Sequence, residues 1–134
     1  MQSPYSAGEP LVTLTPRRRV LIADNNADLV AVLSELIRMD GTLELAGHVA
    51  TGAAAVERVT HEPIDVLLLD LGLEDCHGFE VLDKLVRSGS PTRVIVHTGH
   101  ASAELQAHAK RRGAAAYVVK TGDIEQLLAT MRDV

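Results

Sequence analysis

Two patterns of hydrophobic positions alternate along this chain. One is a short, unbroken apolar run, such as Val66-Leu67-Leu68-Leu69 ending in Asp70. A run of that length, bounded by polar residues, reads as a strand buried on both faces. The other is a longer stretch with apolar residues at helical spacing, such as Leu29, Val32, Leu33, Leu36 and Ile37. Strands are predicted at 18–23, 43–49, 65–69, 93–97 and 115–118, and helices at 27–39, 52–61, 78–88, 101–112 and 123–132. Gly113, after the basic turn Lys110-Arg111-Arg112, fits the end of the fourth helix. Strict alternation of strand and helix implies an α/β fold, a doubly wound (βα)5 sandwich around a parallel sheet. Five strands point to the flavodoxin-like order 2-1-3-4-5, with the site at the switch between the first and third strands.

In such a sheet, ligands and chemistry gather where the strands leave it at their carboxyl ends. Four strand-like runs end there in polar residues: Asp24, Asp70, Thr98 and Lys120. Two acids, a hydroxyl and an amine suit phosphoryl transfer. A carboxylate can act as nucleophile and form an aspartyl-phosphate. The transferred group then needs positive charge on its oxygens, from a lysine, a magnesium ion or both. Each residue also has a plainer reading. Asp24 can cap the helix that begins near Ala27, and Asp70 can cap a turn. Thr98 can form a local turn, and Lys120 can be a solvated surface lysine.

Composition narrows the picture only modestly. The 134 residues suit a single domain with a core of its own. The first 17 residues hold three of the five prolines and read as a flexible tail, leaving 18–134 as the folded unit. A formal net charge of −5 argues against a nucleic-acid module. No apolar stretch is long enough to span a membrane. The single cysteine, Cys76, fits a reducing cytoplasm. Cys76 and the six histidines lack metal-ligand spacing and read as structural or surface residues. These include His97, within a strand, and His100, near the site. A flavin-binding enzyme on the same fold is disfavoured. Aromatic residues make up 2% of the chain, and no glycine-rich phosphate loop follows the first strand.

The ordered set Asp24, Asp70, Thr98 and Lys120 resembles the site of the receiver (phosphoacceptor) domain of two-component response regulators. The family pattern D-x-x-M-P-x-x-x-G-x-E is answered by Asp70, Leu73, Gly78 and Glu80, and Tyr117 matches the family's switch aromatic. The stretches GHVATGAAAVERV and RRGAAAYVVKTGDIEQLLATMRDV resemble the NarL/FixJ-type subfamily in particular. The resemblance implies a phosphorylation-dependent switch. Asp70 accepts a phosphoryl group from a sensor histidine kinase, assisted by Lys120 and Thr98, with Thr98 and Tyr117 as switch residues. It implies Mg²⁺ held by Asp24, Asp70, the Gly72 carbonyl and, weakly, Asn25. It also implies intrinsic phosphoryl transfer and autodephosphorylation rather than a separate enzyme activity. Output would pass through the face of residues 101–112, 115–118 and 123–132, with homodimerisation as one route. DNA would be reached only through an effector domain that this chain lacks.

The chain departs from that pattern at several positions. Asn25 stands where most receivers have a second acid, so metal affinity should fall. Glu74 replaces the usual proline and either faces the pocket rim or is solvated. Thr121 replaces a cis proline, and a trans bond is expected there. Asn25 also supports an alternative function, an atypical receiver that works as a phosphorylation-independent interaction module.

Overall fold

A computed structural model describes residues 16–134. The predicted tail at 1–17 lies outside this range except for Pro16 and Arg17, which have no regular structure. Five strands alternate with five helices. They are β1 (Arg18–Ala23), α1 (Ala27–Met39), β2 (Leu43–Val49), α2 (Gly52–His61), β3 (Val66–Leu69), α3 (Gly78–Arg87), β4 (Arg93–Thr98), α4 (Ala103–Arg111), β5 (Ala116–Val119) and α5 (Ile124–Asp133). All strand pairs are parallel, in the order β2-β1-β3-β4-β5. The flavodoxin-like architecture expected from the alternation is the one observed.

Helices cover both faces of the sheet because alternate strand residues point to opposite sides. Val20, Ile22, Leu68, Ile95 and Val118 pack with Val30, Leu33 and Ile37 of α1 and with Leu127, Leu128 and Met131 of α5. On the other face Leu21, Ala23, Leu67, Leu69 and Val94 pack against α2 and α3. Val96 and Leu71 meet Ala109, the one buried residue of α4. Burial of this kind contributes about 25 cal/mol per Å² of apolar surface removed from water.

Several local expectations change. Val32 is 53% exposed, and Val30 takes its place inside. The buried stripe of α1 runs through 30, 33 and 37, and position 32 lies nearly opposite it at 100° per residue. The N-cap of α1 is Asn26, which accepts from Leu29 N–H at 3.1 Å, and not Asp24. Helix α4 starts at Ala103 because the Ser102 hydroxyl caps it from outside. Gly113 follows the Arg112 C-cap with φ +105°, where a side chain would be strained. All described peptide bonds are trans, that before Thr121 included.

The sheet has two edges, β2 and β5, and the β2 edge is irregular. Its register with β1 slips between Val20 and Leu21, and Gly47 there has φ +139°. Arg58 of α2 donates to the Ala46 carbonyl at 2.7 Å and pairs with Glu62.

Candidate functional site

The ends of β1, β3 and β5 bring Asp24, Asp70 and Lys120 together. Asp24 follows β1 and is only 4% exposed. Its Oδ1 accepts from Asn26 N–H at 2.9 Å, and its Oδ2 accepts from Lys120 Nζ at 2.8 Å. A buried carboxylate must be paired or hydrogen-bonded to stay charged, and this one is both. Asp70 continues the β3 ladder, donating its N–H to the Ala23 carbonyl at 2.9 Å. Its Oδ1 lies 3.3 Å from Lys120 Nζ. One ammonium therefore bridges two acids contributed by separate strands.

Thr98 is the last residue of β4 and is 2% exposed. Its hydroxyl oxygen accepts from His100 N–H at 3.3 Å, which leaves the hydroxyl proton free to donate. Thr98 lines a cleft of about 410 Å³ beside Asp70, together with Gly72, His77, Gly99 and His100. Gly72 adjoins the acceptor, since a Cβ built on it would sit 3.9 Å from Asp70 Oδ2. Asn25 is exposed. It shares with Asp24 a second cleft, of about 460 Å³, that runs along α1. Glu74 is exposed and lines neither cleft; its backbone N–H donates to the Ala50 carbonyl at 3.4 Å.

Tyr117 lies on β5, and its hydroxyl is not left to water: it donates to the His100 carbonyl at 2.6 Å. Tyr117 is thus tied by one hydrogen bond to the Thr98–His100 turn, which a second bond closes from within. Burial raises the Tyr117 phenol above its ordinary pKa.

Three residues that sequence reading passed over support the site. Asp75 accepts from Gly52 N–H at 2.6 Å and Ala53 N–H at 3.0 Å, tying the loop after Asp70 to the N-terminus of α2. These bonds hold its carboxyl below the usual range. His77 caps α3: Phe79 N–H donates to its Nδ1 at 3.1 Å, and its own N–H donates to Glu80 at 3.3 Å. A capping-box spacing, with histidine in place of serine, was the available signal. His97 is the third. It is 5% exposed, and burial together with the Lys120 charge lowers its pKa to about 4, against a smaller opposing effect of Asp24. Cys76 is free and packs against α2, where a Cβ on Gly52 would meet its sulfur at 2.4 Å. Gly78 is forced by a similar close approach, 2.6 Å from such a Cβ to the Asp70 carbonyl oxygen.

The oxygen donors near Asp70 suit a hard divalent cation. Mg²⁺ keeps several waters and usually draws one or two carboxylates from protein, which Asp24 and Asp70 can supply. Among the described residues, no cluster of three or more His, Cys, Asp or Glu that could hold a metal ion occurs, so the acids present are this pair.

Comparison with known proteins identifies the family and the fold. The sequence profile of the response regulator receiver domain matches residues 20–132. The chain belongs to that family. This receiver domain is 28% identical over 117 residues to the oxygen regulatory protein NreC of Staphylococcus carnosus (strain TM300), covering 87% of the chain and 54% of NreC. It is 30% identical over 115 residues to the nitrate/nitrite response regulator protein NarP of Escherichia coli (strain K12), covering 85% of the chain and 53% of NarP. The chain thus spans about half the length of the curated relatives it matches. Among solved structures, the receiver domain is similar to the response regulator domain of Thermotoga maritima CheB. The TM-score is 0.80 at 26% identity, over 87% of this chain and 94% of the other. No helix among the described residues is long and apolar enough to cross a membrane.

Proposed function

We propose that this receiver domain is a phosphorylation-operated signalling switch with Asp70 as its acceptor. The observation that carries this reading is the Lys120 ammonium placed between Asp24 and Asp70, with a donor hydroxyl on Thr98 lining the cleft beside them. An Asp70 oxygen forms the new O–P bond as the P–N bond of a donor phosphohistidine breaks. The electron pair stays on the donor imidazole, which leaves neutral when its second nitrogen carries a proton. The product is a mixed anhydride bearing two negative charges. Lys120 then exchanges Asp24 for a phosphoryl oxygen, and the Thr98 hydroxyl donates to another. Asp24, Asp70 and the Gly72 carbonyl are the residues that would hold Mg²⁺, with Asn25 as a neutral fourth. When bound, the cation supplies the remaining positive charge on the phosphoryl oxygens.

Movement of the Thr98 hydroxyl loosens its bond to His100 N–H, and the Tyr117 bond to the same residue carries that change to β5. The changed surface then selects a partner, and a sensor histidine kinase is the donor. A relative named probable transcriptional regulatory protein SgaR, of Hyphomicrobium methylovorum, and the relatives' roughly doubled length favour control of transcription through a further domain. A second reading, a module that signals by binding alone, is favoured by one observation: Asn25 brings no charge to the pocket.

The test is incubation with a small acyl-phosphate donor and Mg²⁺, read by intact mass. Wild type is expected to gain one phosphoryl group, and Asp70→Asn none. An adduct that persists in Asp70→Asn rules out the acceptor assignment. Absence of any adduct in wild type favours the binding module.

A further inference from the structure

Among the described residues, one buried side-chain nitrogen or oxygen has no hydrogen-bond partner: Nδ1 of His97. Its position is informative. Ile22, Leu68, Ile95 and Val118 all face the cluster packed by α1 and α5. Two residues further along the same strands stand Asp24, Asp70, His97 and Lys120. Parity therefore puts all four on one side of the sheet. His97 pairs in register with Val118, and Leu69 pairs with Val96, so Asp70 stands across from His97 one step beyond the last rung.

Lys120 starts from β5 and reaches Asp24 on β1, with β4 and β3 between them. Its side chain must cross the end of β4, where His97 lies on the same face. If the ammonium gives up Asp24 for a group on Asp70, it retreats by one strand, and its stem folds back toward His97. A neutral imidazole protonated at Nε2 presents Nδ1 as an acceptor. Burial keeps this ring neutral over the ordinary pH range. An ammonium has three donors, so it can serve a phosphoryl oxygen, an Asp70 oxygen and one further acceptor together.

We propose that His97 is a positioning residue for Lys120, its free Nδ1 being the acceptor that seats the ammonium once Lys120 has left Asp24 for a phosphoryl group on Asp70. The proposal rests on the phosphoryl-acceptor reading above. It accounts for a polar atom kept without a partner in the resting protein, where an aliphatic side chain would be more stable. The partner is gained in the other state.

The full chain with Mg²⁺ and beryllofluoride, a phosphoryl mimic, separates the outcomes. Titration and melting curves are taken for wild type, His97→Leu, His97→Asn and His97→Gln. Leu removes the acceptor, Asn places an amide oxygen near Nδ1, and Gln places one near Nε2. His97→Leu is expected to melt a few degrees higher without ligand yet to bind beryllofluoride roughly tenfold more weakly. His97→Asn is expected to restore most of the affinity, and His97→Gln little of it. Affinity of His97→Leu equal to wild type overturns the proposal while leaving the acceptor reading intact. Equal weakening in all three variants also overturns it, because packing alone then explains the loss. Wild type that binds no beryllofluoride overturns the acceptor reading and this proposal with it.

Discussion

At position 25 an uncharged amide stands beside a buried, ion-paired acid. In the proposed metal site an exposed Asn25 would contribute an oxygen but no charge, leaving Asp24 and Asp70 to supply the attraction for a cation. Asn25→Asp adds a charge a few ångströms from a divalent ion, worth more than about 1 kcal/mol even under water-like screening. Mg²⁺ is expected to bind on the order of tenfold more tightly to the variant, by fluorescence or calorimetric titration. Without Mg²⁺ the variant is expected to be less stable by about 1 kcal/mol, since it crowds like charges beside Asp24 and Asp70. Equal affinity in both proteins would mean that some other group already supplies the missing charge. The acids, the hydroxyl and the amine were legible as residues because each ends an apolar run. His97 was not. A histidine within a strand carries no periodic signal of its own, and its burial depends on neighbouring strands that only the fold supplies. Asp75 was equally silent, since its partners are backbone groups of a helix more than twenty positions away.

The helices differ in how firmly they are held. Helix α1 buries Val30, Leu33, Ser34 and Ile37, whereas α4 buries Ala109 alone. Few buried apolar contacts mean a low free energy of local opening. Amides of residues 103–111 are expected to exchange at least tenfold faster than those of 27–39, by hydrogen exchange read with NMR. Comparable protection in the two helices would show that α4 is anchored by something other than its own core residues. The weakly held helix directly follows the Thr98–His100 turn, so a change at the proposed phosphoryl site would meet little resistance there. Element boundaries were most legible where patterns were strongest: β1, β2, α1 and α2 span the predicted residues. They shifted at α4 because Ser102 acts as a cap and not as a helical residue, a choice made by its side-chain bond to Leu105 N–H. Val32 was misplaced for a related reason. The apolar run Leu29 to Leu33 blurs the stripe of α1, and tertiary packing settles which apolar residue turns inward.

For the molecule as a whole, the buried imidazole sets a pH dependence. His97 has an ordinary pKa of 6.5 and a folded value of about 4. Between these values the unfolded chain binds a proton that the folded protein refuses. Stability is thus fully present above pH 6.5 and is lost as pH falls toward 4, by roughly 3 kcal/mol in the metal-free protein. Urea melts at pH 7 and pH 4.5 are expected to show this loss in wild type and little of it in His97→Leu. The same loss in both would place its origin elsewhere. Carboxyls held low, such as Asp40 and Asp75, act in a separate window. Their contribution is present above their ordinary values and falls away only at lower pH. Parallel pairing and the strand order followed from the alternation of elements alone, whereas this pH response needed three-dimensional burial.

The guarded edge at β2 bears on how many molecules can share a crowded solution. A bare outer strand is a template on which a neighbour can grow the sheet indefinitely. Here the slipped register breaks the row of sticky amides, and the guanidinium of Arg58 occupies one of its carbonyls. Open-ended fibre growth from that side is discouraged.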